Sequence, residues 1–134
     1  MQLIPYLFFE GRTEEALAFY RTALGAEVTA LMRFRESPEP EHCPPGAAEK
    51  VMHASFSIAG QTVMASDGRC SGRPEFGGFA LSLAPTDAAT AERLFAALSD
   101  GGQVVMPLGR TFWAAAFGMV RDRFGVTWMI NLEG

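Results

Sequence analysis

The chain carries a single lysine, Lys50, and its other basic residues are arginines scattered one at a time. Its net charge is −4 over 134 residues. Nucleic-acid binding asks for clustered Lys and Arg facing phosphates, so no nucleic-acid partner is expected. No apolar run approaches the ~20 residues a membrane helix needs, which argues against a membrane partner. Met1 to Pro5 shows no basic segment followed by an apolar stretch, so no secretory signal is read and a cytoplasmic location is expected. Cysteine is scarce too. Cys43 and Cys70 sit in Pro- and Gly-rich segments without metal-like spacing, and two reduced thiols suit that compartment. There is no Gly-x-Ser-x-Gly, no phosphate loop and no convincing carboxylate pair.

What is present is a repeat. Gly60-Gln61-Thr62-Val63-Met64-Ala65-Ser66 is echoed by Gly125-Val126-Thr127-Trp128-Met129-Ile130-Asn131. Thr and Met keep one register, and a small polar residue closes each run. Ahead of each lies a helical pattern ended by glycine, Gly25 in the first half and Gly101 in the second. At this length the chain reads as one domain that buries roughly two-thirds of its unfolded surface.

The pattern predicts strands over 2–9, 27–35, 53–59 and 61–66. A helix follows an N-cap at Thr13, with Glu14 and Glu15 in its first turn. The second half replays the order. Strands are predicted over 79–83, from 103 onward, over 112–121 and over 126–132, with a helix capped by Thr86 or Asp87. Each half is thus β-α-β-β-β, module one over about 1–70 and module two over about 76–134. Gly25 and Gly60 lie 35 residues apart but Gly101 and Gly125 only 24, so module one carries 11 extra. They fall in a Pro-rich loop over 36–50, which reads either as a solvated segment or as a lid.

Two such modules in tandem resemble the vicinal-oxygen-chelate superfamily of glyoxalase I, extradiol dioxygenases and bleomycin-resistance proteins. The wording resembles its PhnB-like branch, often labelled a 3-demethylubiquinone-9 3-methyltransferase domain. The carrying residues are His53 to Gly60, Val63 to Asp67, Thr111-Phe112-Trp113 and Phe117 to Asn131. The resemblance implies an α+β fold in which the modules form a cupped eight-stranded mixed sheet with helices on the convex side. It also implies a homodimer. Methyl transfer is not expected, because no glycine-rich nucleotide loop followed by an acidic strand end is present.

In metal-dependent members four strands each supply one His, Gln or Glu. Laid on this chain, the pattern falls on Pro5, Met64, Gly78 and Met129. None suits a hard divalent ion, so no metal and no cofactor are expected. Strand alternation then lines the cup with Leu7, Phe9, Thr62, Met64, Ser66, Ala80, Ser82, Thr127, Met129 and Asn131. Trp113 and Phe117 share one face of their strand and join these as ligand-binding candidates. The repeat offset of 65 would instead pair His53 with Gly118 and turn the aromatics away, unless a bulge intervenes. His53 is the candidate general base, because imidazole moves protons near neutral pH; a structural histidine is the bland alternative. His42, Cys43 and His53 would meet at a metal only if the proline loop folded back. Asp67 and Asp122 read as turn-forming acids. The function expected is that of a metal-free protein holding a small apolar or aromatic molecule. A metal-independent or atypical lyase, isomerase or dioxygenase of the same fold is the alternative.

Overall fold

The computed structural model describes residues 1–39 and 44–134. His42 and Cys43 lie outside the described residues. The chain divides into two compact units, Met1–Glu75 and Phe76–Gly134.

The first unit runs β1 (Tyr6–Phe8), α1 (Thr13–Leu24), β2 (Glu27–Arg33), β3 (Val51–Ile58) and β4 (Gln61–Ser66). The second runs β5 (Leu81–Leu83), α2 (Ala88–Ser99), β6 (Gln103–Gly109), β7 (Ala116–Arg121) and β8 (Thr127–Leu132). The class is α+β and each unit is β-α-β-β-β. The eight strands are hydrogen-bonded as two mixed four-stranded sheets, ordered β1-β4-β3-β2 and β5-β8-β7-β6. In each sheet the first strand joins the last in parallel and the remaining pairs are antiparallel.

Several predicted strands are shorter in the structure. The first keeps three residues of the eight expected. The strand predicted over 112–121 begins only at Ala116. Thr111 breaks it: its backbone N–H donates to Ala114 O (3.1 Å), and its hydroxyl accepts from the Ala114 N–H (3.1 Å). A side chain that closes a local turn competes with the ladder. The connection between β2 and β3 spans 34–50, against 110–115 between β6 and β7. Its base is tied down, since Arg33 Nη1 lies 2.6 Å from the Glu14 carboxylate on α1.

Each helix covers one face of its sheet. In the first unit Tyr20 of α1 is buried between Phe9, at a ring distance of 6.1 Å, and Phe56 of β3, stacked at 6.2 Å. In the second, α2 packs on β7 and β8. There Phe95 approaches so closely that a Cβ at Gly118 would lie 2.8 Å from its ring and 3.0 Å from the Leu108 backbone. Trp128, Ile130, Val120 and Leu98 are fully buried in that unit. Burying such side chains contributes ~1.5–3 kcal/mol each.

The helix entries differ. Thr13 is the expected cap of α1, but Arg12 holds the N-cap position, and its side chain pairs with Glu15 (2.7 Å) instead of capping the helix. Asp67, at the end of β4, acts instead. Its Oδ1 accepts from the backbone N–H of Thr13 (2.8 Å) and Gly11 (3.1 Å), and its Oδ2 from Val51 N–H (2.7 Å). On α2 Asp87 is the cap, accepting from Thr90 N–H at 2.7 Å.

Candidate functional site

Strand register decides which side chains share the face turned away from each helix. In the first unit Tyr6 stands opposite Met64, and Met64 opposite Ser55; Phe8 stands opposite Ser66, and Ser57 opposite Thr62. That places Tyr6, Phe8, Met64, Ser66, Thr62 and Ser55 on one face, with His53 two residues before Ser55. Leu7 and Phe9 are corrected by this register. They lie on the helix side, nearly inaccessible, with Leu7 beside Ala65 and Phe9 against Tyr20. The run Tyr6-Leu7-Phe8-Phe9 is apolar or aromatic at every position, so composition carries no parity. Counting alternation from Pro5 put it one residue out.

His53 and Tyr6 meet on this face. The Tyr6 hydroxyl is 2.8 Å from His53 Nδ1. Tyr6 also lies against Phe8, with ring centroids 5.1 Å apart, and is tilted over the imidazole at 5.7 Å. Burial pushes the Tyr6 phenol above its usual value, and a hydrogen bond with Ser66 offsets part of the rise. Ser66 in turn accepts from Gly68 N–H at 2.9 Å.

Phe8 is half-exposed at 51% and forms one wall of a cleft of about 480 Å³, completed by Glu10, Ser71, Arg73 and Glu75. Glu10 has a left-handed backbone, φ 52°, which an ordinary side chain adopts rarely. The chain around it holds that conformation. Gly72 N–H donates to Glu10 O at 2.7 Å, and Ser71 N–H reaches its carboxylate at 3.4 Å. A Cβ at Gly68 would strike Glu10 Oε2 and lie 3.3 Å from Phe8, so a side chain there would displace the carboxylate from this position. Four of these cleft residues escaped sequence reasoning because they lie in irregular segments joined only by the fold. The glycines at 68 and 72 were the available signal.

In the second unit Ser82 stands opposite Met129, Met129 opposite Met119, and Phe117 opposite Asn131. Thr127 shares that face, and Ala80 precedes Ser82 by two residues. Gly118 meets Phe95 on the helix side, so Phe117 is on the face away from the helix. The bulge that reverses the expected offset is in the hairpin. Four residues separate the paired Ser57 and Thr62, but five separate Arg121 and Thr127. Asp122 organises the longer turn. Its Oδ1 accepts from Phe124 N–H (2.9 Å) and Val126 N–H (3.1 Å), and its Oδ2 from Trp128 Nε1–H (2.8 Å). Trp113 packs edge-on against Phe117 at 5.3 Å from the Thr111 turn, and Phe112 beside it is 97% exposed. The Oδ1 of Asn131 is buried and accepts no hydrogen bond from the described residues.

Within each unit, the residue opposite the repeated methionine is Tyr6 rather than Pro5 for Met64, and Ser82 rather than Gly78 for Met129. Among the described residues no three His, Cys, Asp or Glu side chains converge as metal ligands.

The model of the 3-demethylubiquinone-9 3-methyltransferase family matches residues 1–131. Protein YjdN of Escherichia coli K12 is 39% identical, over 98% of this chain and 95% of its own length. The crystal structure of protein PA1353 from Pseudomonas aeruginosa is similar at TM-score 0.86 and 44% identity, covering 99% of this chain and 98% of that one. A PhnB protein from Bacillus cereus follows at TM-score 0.83 and 28% identity, covering 98% and 99%. A glyoxalase/bleomycin resistance protein/dioxygenase family enzyme from Burkholderia phytofirmans, 13% identical at TM-score 0.63 over 96% and 95%, shares the fold.

Proposed function

The chain belongs to the 3-demethylubiquinone-9 3-methyltransferase family, the PhnB-like branch of the vicinal-oxygen-chelate fold, and from that premise we propose that it binds a small apolar or aromatic molecule without a glyoxalase-type metal. The cleft beside Phe8 carries this reading. Its volume falls within the range of small-molecule sites, and Phe8 offers an aromatic wall beside the charged and hydroxyl groups of Glu10, Arg73, Glu75 and Ser71. The polar element on the same face is the Tyr6–His53 pair.

The donor chemistry supports the metal-free part. Tyr6, Met64, Ser82 and Met129 offer a phenol, a hydroxyl and two thioethers. Hard divalent ions prefer carboxylate and imidazole, and thioether sulfur is soft. Elemental analysis of the purified protein should find no stoichiometric Ni, Zn, Mn or Fe; one equivalent of any of them would overturn this part. Methyl transfer is outside the proposal. Each sheet has a single parallel pair, and the turn from β1 into α1, Phe9 to Arg12, holds one glycine rather than a glycine-rich phosphate cradle.

Ligand-observed NMR against a set of neutral aromatic fragments tests the site. Hits should lose about tenfold in affinity in Phe8→Asp, which places a charge on the aromatic wall. The melting temperature should barely move, because Phe8 is half-exposed. Fragments that bind Phe8→Asp as well as wild type would remove the cleft from the proposal. A catalyst acting through His53 is the second reading, favoured by its partly accessible ring two residues before Ser55. Full turnover in His53→Ala on any substrate found would end it.

The same proposal includes a homodimer in the cytoplasm. Val104, Val105 and Met106 stand exposed on the edge strand β6, and an uncovered apolar edge invites a partner. Light scattering that gave only a monomer mass would refute the dimer. Among the described residues no helix is long and apolar enough to cross a membrane.

A further inference from the structure

We infer that Tyr6 holds neutral His53 in the tautomer that carries its proton on Nε2, so that His53 meets a ligand as a hydrogen-bond donor rather than as a general base. The ligand class follows: a planar, largely apolar molecule bearing a carbonyl or phenolic oxygen. The ligand class rests on the small-molecule reading above, whereas the tautomer does not.

The geometry points this way in three steps. The Tyr6 hydroxyl and His53 Nδ1 are 2.8 Å apart, so one of them donates to the other. A phenol is the more acidic partner and an imidazole nitrogen the more basic, so the favoured arrangement is O–H···Nδ1. With Nδ1 accepting, the single ring proton of neutral His53 must sit on Nε2. No hydrogen bond from Nε2 is present among the described residues, and the ring is only partly buried. Tyr6 is therefore a positioning residue, and Nε2–H is the group left to meet a guest.

The neighbours specify the rest of that guest. Phe8 lies 5.1 Å from the Tyr6 ring, and Met64 stands opposite Tyr6 in the ladder. Aromatic rings and an adaptable thioether favour a flat apolar body. A donor beside an apolar surface discriminates strongly, because a guest without an acceptor leaves a desolvated N–H unpaired.

Two measurements decide it. The first is the nitrogen spectrum of the imidazoles in ¹⁵N-labelled protein at a pH where His53 is neutral. Only two histidines are present, and His42→Ala assigns them. His53 should show a protonated Nε2 and an accepting Nδ1, and Tyr6→Phe should shift it toward mixed tautomers. A protonated Nδ1 in the wild type, or a Tyr6→Phe spectrum identical to wild type, would overturn the tautomer. The second compares acetophenone with isopropylbenzene, two probes of similar shape that differ in the carbonyl. Acetophenone should bind about tenfold more tightly to wild type, and the preference should vanish in His53→Leu. Equal affinity of both probes for wild type would overturn the donor role and leave small-molecule binding intact. Failure of both to bind would overturn the ligand class together with the reading it rests on, leaving the tautomer to the spectrum.

Discussion

The two modules share a chain path and differ in how each secures it. In the first, the entry to α1 is capped from across the module by Asp67, whose carboxylate gathers three backbone N–H groups from three segments. In the second, α2 is capped by its own neighbour Asp87, and the buried Asp122 organises a hairpin turn instead. The faces away from the helices differ in the same spirit. Where module one places Tyr6, His53 and Ser66, module two places Ser82, Phe117 and Asn131 at equivalent ladder positions. After duplication of one unit, the proton-bearing chemistry stands in one copy and an aromatic cluster in the other. Long-range bonding makes the first module the more vulnerable to a single substitution, and its polar pair makes it the better place to look for ligand recognition.

The sharpest way to break this comparison is Asp67→Ala. It leaves the N–H groups of Thr13, Gly11 and Val51 without their acceptor, and unpaired buried donors cost about 1–3 kcal/mol each. A loss of about 3–5 kcal/mol in denaturant unfolding is expected, with Asp87→Ala far milder. Equal losses would mean that the distant cap is no different from the local one.

Next in size is Gly118→Val. The new side chain meets Phe95 and the Leu108 backbone, and overpacking of this kind costs about 1–3 kcal/mol. At the equivalent ladder position of module one stands Ala54, where Ala54→Gly should cost only ~1 kcal/mol, mainly through backbone entropy. If Gly118→Val unfolded like wild type, α2 would not pack as closely on β7 as described.

The smallest effect belongs to Asp87→Ala, and it is best seen against pH. The Thr90 backbone N–H, followed by the Thr90 hydroxyl, holds the Asp87 carboxyl below the usual aspartate range. A carboxyl lowered in the folded state contributes stability above its unfolded value and loses it as pH falls through the folded one. The melting-temperature difference between wild type and variant should therefore be full at neutral pH and disappear in acid. A difference that persisted there would point to helix propensity rather than the charged cap.

Much of the fold was legible because it rests on local periodicity. The helix end at Gly25, a cap at Thr86 or Asp87, the glycine-led strands and the duplication all follow from spacing and turn chemistry. The site was only partly legible. His53, Met64, Ser82 and Met129 stand on the expected faces, the sequence left the face of Phe117 open, and Leu7 and Phe9 stand on the opposite face. An all-apolar run has no parity of its own, and one additional hairpin residue reverses the face of everything before it on the partner strand. Glu10, Ser71, Arg73 and Glu75 lie outside helices and strands, where no period connects them.

By itself the sequence determined the tandem β-α-β-β-β plan, the family it serves and the thioethers at Met64 and Met129. Those depend on composition and on spacing along one stretch of chain. Only the tertiary structure decided that Tyr6 rather than Pro5 stands opposite Met64, that its hydroxyl meets His53, and that Asp67 caps a helix 54 positions earlier in the chain. Strand register and long-range hydrogen bonds are set by the packing of whole elements against one another, and no local pattern encodes them.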